Sequence, residues 1–169
     1  MSDLLAGRSV SGRTAIVTGA ASGMGRATAH LLAAMGARVA VTDFNGDGAE
    51  AVAREIAAAG GTARAWALDV ADGTRVETVM REVVEAFGGI DILINNAGVS
   101  DALPLDDPRY PEAWDRLLAV MLTGTQQMVR AALPYLRASD AARVVNIAST
   151  EALGATAGHS AYSAAKAGI

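Results

Sequence analysis

Cysteine is absent from the 169 residues, which excludes disulfide stapling and thiolate catalysis and makes a reducing, cytoplasmic setting the expected one. Lysine is nearly absent too: the 14 basic residues include a single lysine, Lys166. With 18 acidic residues the net charge is −4, and no cluster of Lys and Arg stands out, so neither a nucleic-acid surface nor an anionic membrane surface is expected. No apolar run reaches the ~18 residues that span a bilayer, and no signal peptide precedes the first predicted strand. What remains is a chain that is 51% hydrophobic with 18 glycines, neither a disordered tail nor a small disulfide scaffold. Its length favours one domain over residues 1–169, large enough to bury a core.

Apolar β-type runs alternate with helical patterns along the whole chain. Strands are predicted at Arg13 to Thr18, Arg38 to Asp43, Ala63 to Leu68, Ile90 to Ile94 and Arg143 to Ala148. A first helix is expected to bury Ala27, Leu31, Ala34 and Met35, with Gly36 as its stop. A second is marked by Ala49, Val52, Ala53 and Ile56, and a third by Val76, Val79, Met80, Val83 and Phe87. A longer segment aligns Trp114, Leu118, Met121, Thr125, Met128 and Ala132 on one stripe, with Pro134 near its end, and a last helix begins near Ser160. Such βα alternation with apolar strands predicts an α/β fold: a doubly wound, five-stranded parallel sheet covered by helices. No linker, low-complexity tract or repeat interrupts it.

The first strand runs into Thr18-Gly19-Ala20-Ala21-Ser22-Gly23-Met24-Gly25. Glycines there permit a tight turn, close approach of backbone to a pyrophosphate, and close packing of helix on strand. The helix that follows offers free N–H groups and the positive end of its dipole to phosphates. Asp43 ends the second strand about 20 residues on, where a ribose-binding carboxylate belongs. A glycine turn alone punctuates many α/β proteins; strand, turn, helix, strand and acid in that order point to a nucleotide site.

Tyr162 and Lys166 lie four apart on a predicted helix and so share a face. An ordinary surface pair is the plain alternative, but the chain's one lysine stands beside one of only three tyrosines. An ammonium favours a neighbouring phenolate, whose free pKa is ~10, and so suits the phenol to proton exchange near neutral pH. Ser149 sits at the end of the fifth strand, where open α/β sheets place ligands. No Gly-x-Ser-x-Gly elbow surrounds it, which argues against a covalent role.

The turn reads Gly-x-x-x-Gly-x-Gly, and here the chain resembles the short-chain dehydrogenase/reductase family. The resemblance runs through Thr18 to Gly25, Asp69-Val70, Asn95-Asn96-Ala97-Gly98, Asn146 to Ser149, and Tyr162-x-x-x-Lys166. It implies a Rossmann-type fold with Gly19, Ser22, Gly23, Met24, Gly25 and Asp43 on the cofactor, Asp69 and Val70 flanking adenine, and Asn96, Ala97 and Gly98 along the adenosine half. It also implies that Asn95 and Asn96 fix the central strands, Ser149 bonds the substrate oxygen, Tyr162 moves the proton, and Lys166 holds the nicotinamide ribose. The implied activity is hydride exchange between nicotinamide and a secondary alcohol or ketone, with no metal. Asp43 repels a 2′-phosphate and Ser22 cannot neutralise one, so NAD(H) is expected over NADP(H). Steroid, sugar, acyl-chain and terpenoid substrates all stay open.

Two departures from the family stand out. Where the long helix usually carries an Asn that completes a proton relay, this chain has Met121, which bonds water poorly. The family's last strands, beyond the helix of Tyr162, have no counterpart here, so the 169 residues correspond to the N-terminal two-thirds of a family-length domain, and its fifth strand is expected to be an open, aggregation-prone edge. Relatives form dimers and tetramers through the Trp114 and Tyr162 helices, which is the expectation for the full-length protein. His30 and His159 show no metal spacing and are expected in surface or loop packing. Two rivals remain: a nucleotide-binding protein without turnover, and a nucleotide-sugar epimerase or dehydratase, which requires a larger C-terminal domain.

Overall fold

A computed structural model describes residues 9–169; most of the stretch on which the signal-peptide expectation bears lies outside the described residues. Its strands are β1 (Thr14–Thr18), β2 (Arg38–Asp43), β3 (Thr62–Ala67), β4 (Ile92–Asn95) and β5 (Arg143–Asn146). The helices are α1 (Gly23–Ala34), α2 (Gly46–Ala58), α3 (Gly73–Phe87), α4 (Tyr110–Leu117), α5 (Gly124–Ala138) and α6 (Ser160–Gly168), with a π-helical turn, Leu118–Thr123, between α4 and α5. All strands are parallel in the order β3-β2-β1-β4-β5. This is the predicted Rossmann-type α/β sheet.

Alternation along the central strands builds two cores. Ala15, Val17, Val39, Val41, Ile92 and Ile94 face α1 and α2, while Ile16, Ala40 and Leu93 face α3 and α5. Two helices start on side-chain caps: Asn45 accepts from the Gly48 N–H, and Asp72 accepts from the Thr74 and Arg75 N–H groups, all at 3.0 Å. Gly88, at φ +86°, ends α3.

Two details depart from the sequence reading. The buried line of α1 is Gly25, Ala29 and Ala33, whereas Leu31 and Met35 are exposed. Small side chains fill the contact of this helix with β1 and β2, and bulky ones are turned outward. On the long helix, Met121, Met128 and Ala132 are buried as expected, but ahead of Met121 the buried residues are Ala113 and Leu117, while Trp114 and Leu118 are half-buried. The wide turn inserts one residue and rotates the first half of the helix relative to a continuous 3.6-residue period. As expected of an open edge, β5 is exposed along its length among the described residues, Val144 by 42% and Val145 by 44%. No helix among the described residues is long and apolar enough to cross a membrane.

Candidate nucleotide and active site

β1 and β4 lead their chains to opposite sides of the sheet, and a cavity of about 610 Å³ opens at the carboxyl ends of the strands there. Gly19, Ser22, Gly23 and Met24 line it, as do Asp43, Asp69, Val70, Asn96, Ala97 and Gly98. A groove of about 620 Å³ between α3 and α5 equals it in volume but is lined by none of the expected site residues.

Hydrogen bonds hold the cavity floor. Gly19 adopts φ +63°, and a Cβ there would stand 2.8 Å from Ala97 Cα, so the turn requires glycine on both counts. Asn96 Nδ2 donates to the Thr18 and Gly19 carbonyls at 2.9 and 3.1 Å, and Thr18 Oγ1 accepts from the Asn96 and Ala97 N–H groups at 3.0 and 2.9 Å. The Asn96 side chain therefore braces the turn, as Asn95 braces β5 by donating to Asn146 Oδ1 at 2.8 Å. Gly25 does not line the cavity. A Cβ on it would meet the Gly19 carbonyl oxygen at 2.2 Å, so its part is to let α1 pack against the turn.

Asp43 reaches the cavity and also clasps it: one carboxylate oxygen accepts from the Ala21 N–H at 2.9 Å and the other from the Asn45 N–H at 2.8 Å. Among the described residues no side chain caps α1, unlike α2 and α3, so the first-turn N–H groups beside Ser22 and Gly23 remain available to a ligand. Asp69 accepts from the Ala71 N–H at 2.9 Å, which turns the chain out of β3. Sequence reasoning missed Phe44, Leu68, Val99, Arg116 and Val120 in the cavity wall. Phe44 and Leu68 adjoin Asp43 and Asp69 and were within reach of it. Arg116 and Val120 come from the long helix, and nothing local to them signals the cavity. Arg116, the one basic residue of the wall, pairs with Asp101.

Ser149 follows the end of β5, and Tyr162 and Lys166 stand on α6, whose lysine reaches back to the residue after that strand. Lys166 is 5% exposed, donates from Nζ to the Ile147 carbonyl at 2.5 Å, and stands 5.7 Å from the Tyr162 ring centroid. Burial pushes its ammonium below the ordinary pKa of 10.5. Ser149 Oγ accepts from the Glu151 N–H at 3.2 Å, which leaves its hydroxyl proton free to donate. Met121 is fully buried with Leu117, Ala161 and Ala165 against the helix that carries Tyr162. Its sulfur lies 3.7 Å from where a Gly98 Cβ would stand, so it joins that helix to the cavity wall. His30 bonds Glu55 at 3.0 Å, and the His159 ring stands edge-on to Tyr162 at 6.3 Å.

A switch-point cavity with a glycine turn, an uncapped helix and a strand-end carboxylate defines a Rossmann-type nucleotide fold. The chain belongs to the short chain dehydrogenase family, whose model matches residues 13–169. It is 43% identical over 162 residues to the D-beta-hydroxybutyrate dehydrogenase of Cupriavidus necator, covering 95% of this chain and 62% of that protein. To the D-threitol dehydrogenase of Mycolicibacterium smegmatis it is 41% identical, covering 94% and 60%. The crystal structure of a short chain dehydrogenase from Mycobacterium avium superposes with a TM-score of 0.88 at 40% identity, over 95% of this chain and 60% of that one. The chain thus spans about 60% of the length of these relatives.

Proposed function

We propose that residues 1–169 form a single dinucleotide-binding domain of an NAD(H)-dependent oxidoreductase acting on a secondary alcohol or ketone. The carrying observation is that one cavity collects the glycine turn, Asp43, Asp69-Val70 and Asn96-Ala97-Gly98 from separate parts of the chain. The groups present fit a dinucleotide: a turn that only glycine allows, an uncapped helix end for the pyrophosphate, and a carboxylate for ribose hydroxyls. The relatives' names, two dehydrogenases, support the reaction class.

NAD, when bound, supplies the hydride acceptor or donor. For alcohol oxidation, Ser149 donates its free hydroxyl proton to the substrate oxygen and orients it. The Tyr162 phenolate takes the alcohol proton as the carbinol hydrogen leaves with its electron pair, so that one proton and one hydride depart together. Lys166, with two N–H donors left after Ile147, supplies charge beside the Tyr162 ring and a bond to the nicotinamide ribose. A cytoplasmic location and a dimeric or tetrameric full-length protein belong to the same proposal.

The test is nicotinamide absorbance with a panel of secondary alcohols for the unmodified protein and for Tyr162→Phe. The variant is expected to bind NAD with near-normal affinity and to lose turnover. NAD binding without any turnover in the unmodified protein supports the non-catalytic rival, and turnover retained by Tyr162→Phe removes the phenol from its role.

A further inference from the structure

The segment that joins Ser149 to α6 spans residues 150–159 and leaves several side chains open to solvent, Leu153 by 93%. One acid ties its middle to both flanks. Glu151 Oε2 accepts from the Thr156 N–H at 2.8 Å, and Glu151 Oε1 accepts from the Thr156 hydroxyl at 2.7 Å. Glu151 Oε2 also lies 3.4 Å from the Ser163 hydroxyl, which donates to it from the residue next to Tyr162. The backbone N–H of Glu151 donates to Ser149 Oγ. One residue therefore touches the serine, the middle of the loop and the helix that bears the tyrosine. The far end of the loop is pinned separately, by Leu103 N–H on the Gly158 carbonyl at 2.9 Å and by Tyr110 on Ser160 at 2.8 Å.

We infer that Glu151 is a positioning residue: its carboxylate clasps the 150–159 loop and so sets Ser149 against Tyr162 for the proposed reaction. This rests on the proposed function and extends it to a residue outside the cavity wall. The three donors on the carboxylate hold its pKa below the ordinary value of 4.5, so it is ionised and accepting across the neutral range. Of the groups around it, His159 is the one that can carry positive charge, and the Ser163 and Thr156 contacts are neutral.

Glutamine and alanine separate clasping from charge. In Glu151→Gln the amide oxygen still accepts from the Thr156 N–H and the amide nitrogen can donate to the Thr156 hydroxyl; in Glu151→Ala both contacts vanish. Turnover, NAD affinity and amide hydrogen exchange of the 150–159 peptide are measured for the unmodified protein and both variants. Glu151→Ala is expected to lower kcat on the order of ten- to a hundredfold, the cost of misplacing reacting groups by a fraction of an ångström to one ångström. NAD affinity should stay within about twofold, because the cavity residues are untouched, and exchange in the loop should rise. Glu151→Gln should recover most of the kcat and the protection. The inference is overturned if Glu151→Ala keeps its kcat and its protection, or if Glu151→Gln fails as badly as alanine, which would make charge the operative property. An unmodified protein that binds NAD without turnover overturns the proposed function instead, and an unprotected loop in that protein overturns the clasp.

Discussion

Lys166 is buried beside a carbonyl with its pKa lowered by desolvation, and this has a defined effect on stability. The unfolded chain holds the lysine proton more tightly than the folded one. Between the lowered folded pKa and the ordinary 10.5 the unfolded state binds more protons, so Lys166 makes stability rise with pH across that window and contributes no slope below it. Melting curves against pH should show this rise, and Lys166→Met should lack it. Asp43 presents a second residue-scale question, because it both faces the cavity and clasps the glycine turn. Asp43→Ala is expected to weaken NAD binding by on the order of ten- to a hundredfold, the worth of one hydrogen bond to a charged group at about 1.5–3 kcal/mol. NADP binding should weaken less, since repulsion of the 2′-phosphate is lifted as well, and the gap between the two should narrow. Titration of both cofactors measures it, and equal affinities in the unmodified protein would sink the idea.

At the scale of elements, the π turn and Met121 act together. The turn rotates α4 so that Ala113, Leu117 and Met121 face α6, and these side chains seat the helix of Tyr162 through Ala161 and Ala165. Thr125 donates to the Met121 carbonyl at 2.7 Å and satisfies that group within the wide turn. An asparagine at this place would bury an amide among apolar side chains. Met121→Asn is therefore expected to destabilise the fold by about 1–3 kcal/mol, a melting shift of roughly 2–4 °C per kcal/mol. Unchanged melting in thermal denaturation would show that the amide finds partners there.

For the whole molecule, the two edges of the sheet differ. β3 pairs along its full length with β2 and is packed by α2, whereas β5 leaves Val144 and Val145 nearly half exposed, one on each face. An exposed apolar edge invites strand pairing between molecules. In the 169-residue chain, Val144→Lys, which places a charge on that edge, should reduce light scattering at raised protein concentration while leaving the melting temperature within a few degrees. Scattering that does not fall would locate the association elsewhere.

Much of the candidate site was legible in the sequence because its requirements are local. A glycine turn between a strand and a helix, and an acid at the next strand's end, are fixed by backbone sterics and chain order, and Gly19, Gly23 and Asp43 share one cavity wall. The strand positions and the α/β class followed from periodicity for the same reason. Periodicity did not decide which of two equally periodic faces of α1 is buried, because that depends on the contact with β1 and β2 and not on hydrophobicity. Nor did it register the π turn, where one added residue changes the facing of everything before it. The second duties of Asp43 and Asn96, the Ile147 bond of Lys166, and the reach of Glu151 across the loop were decided only by tertiary structure. Each joins groups whose nearness depends on how strands and helices pack in space, a distance the linear order of residues does not contain.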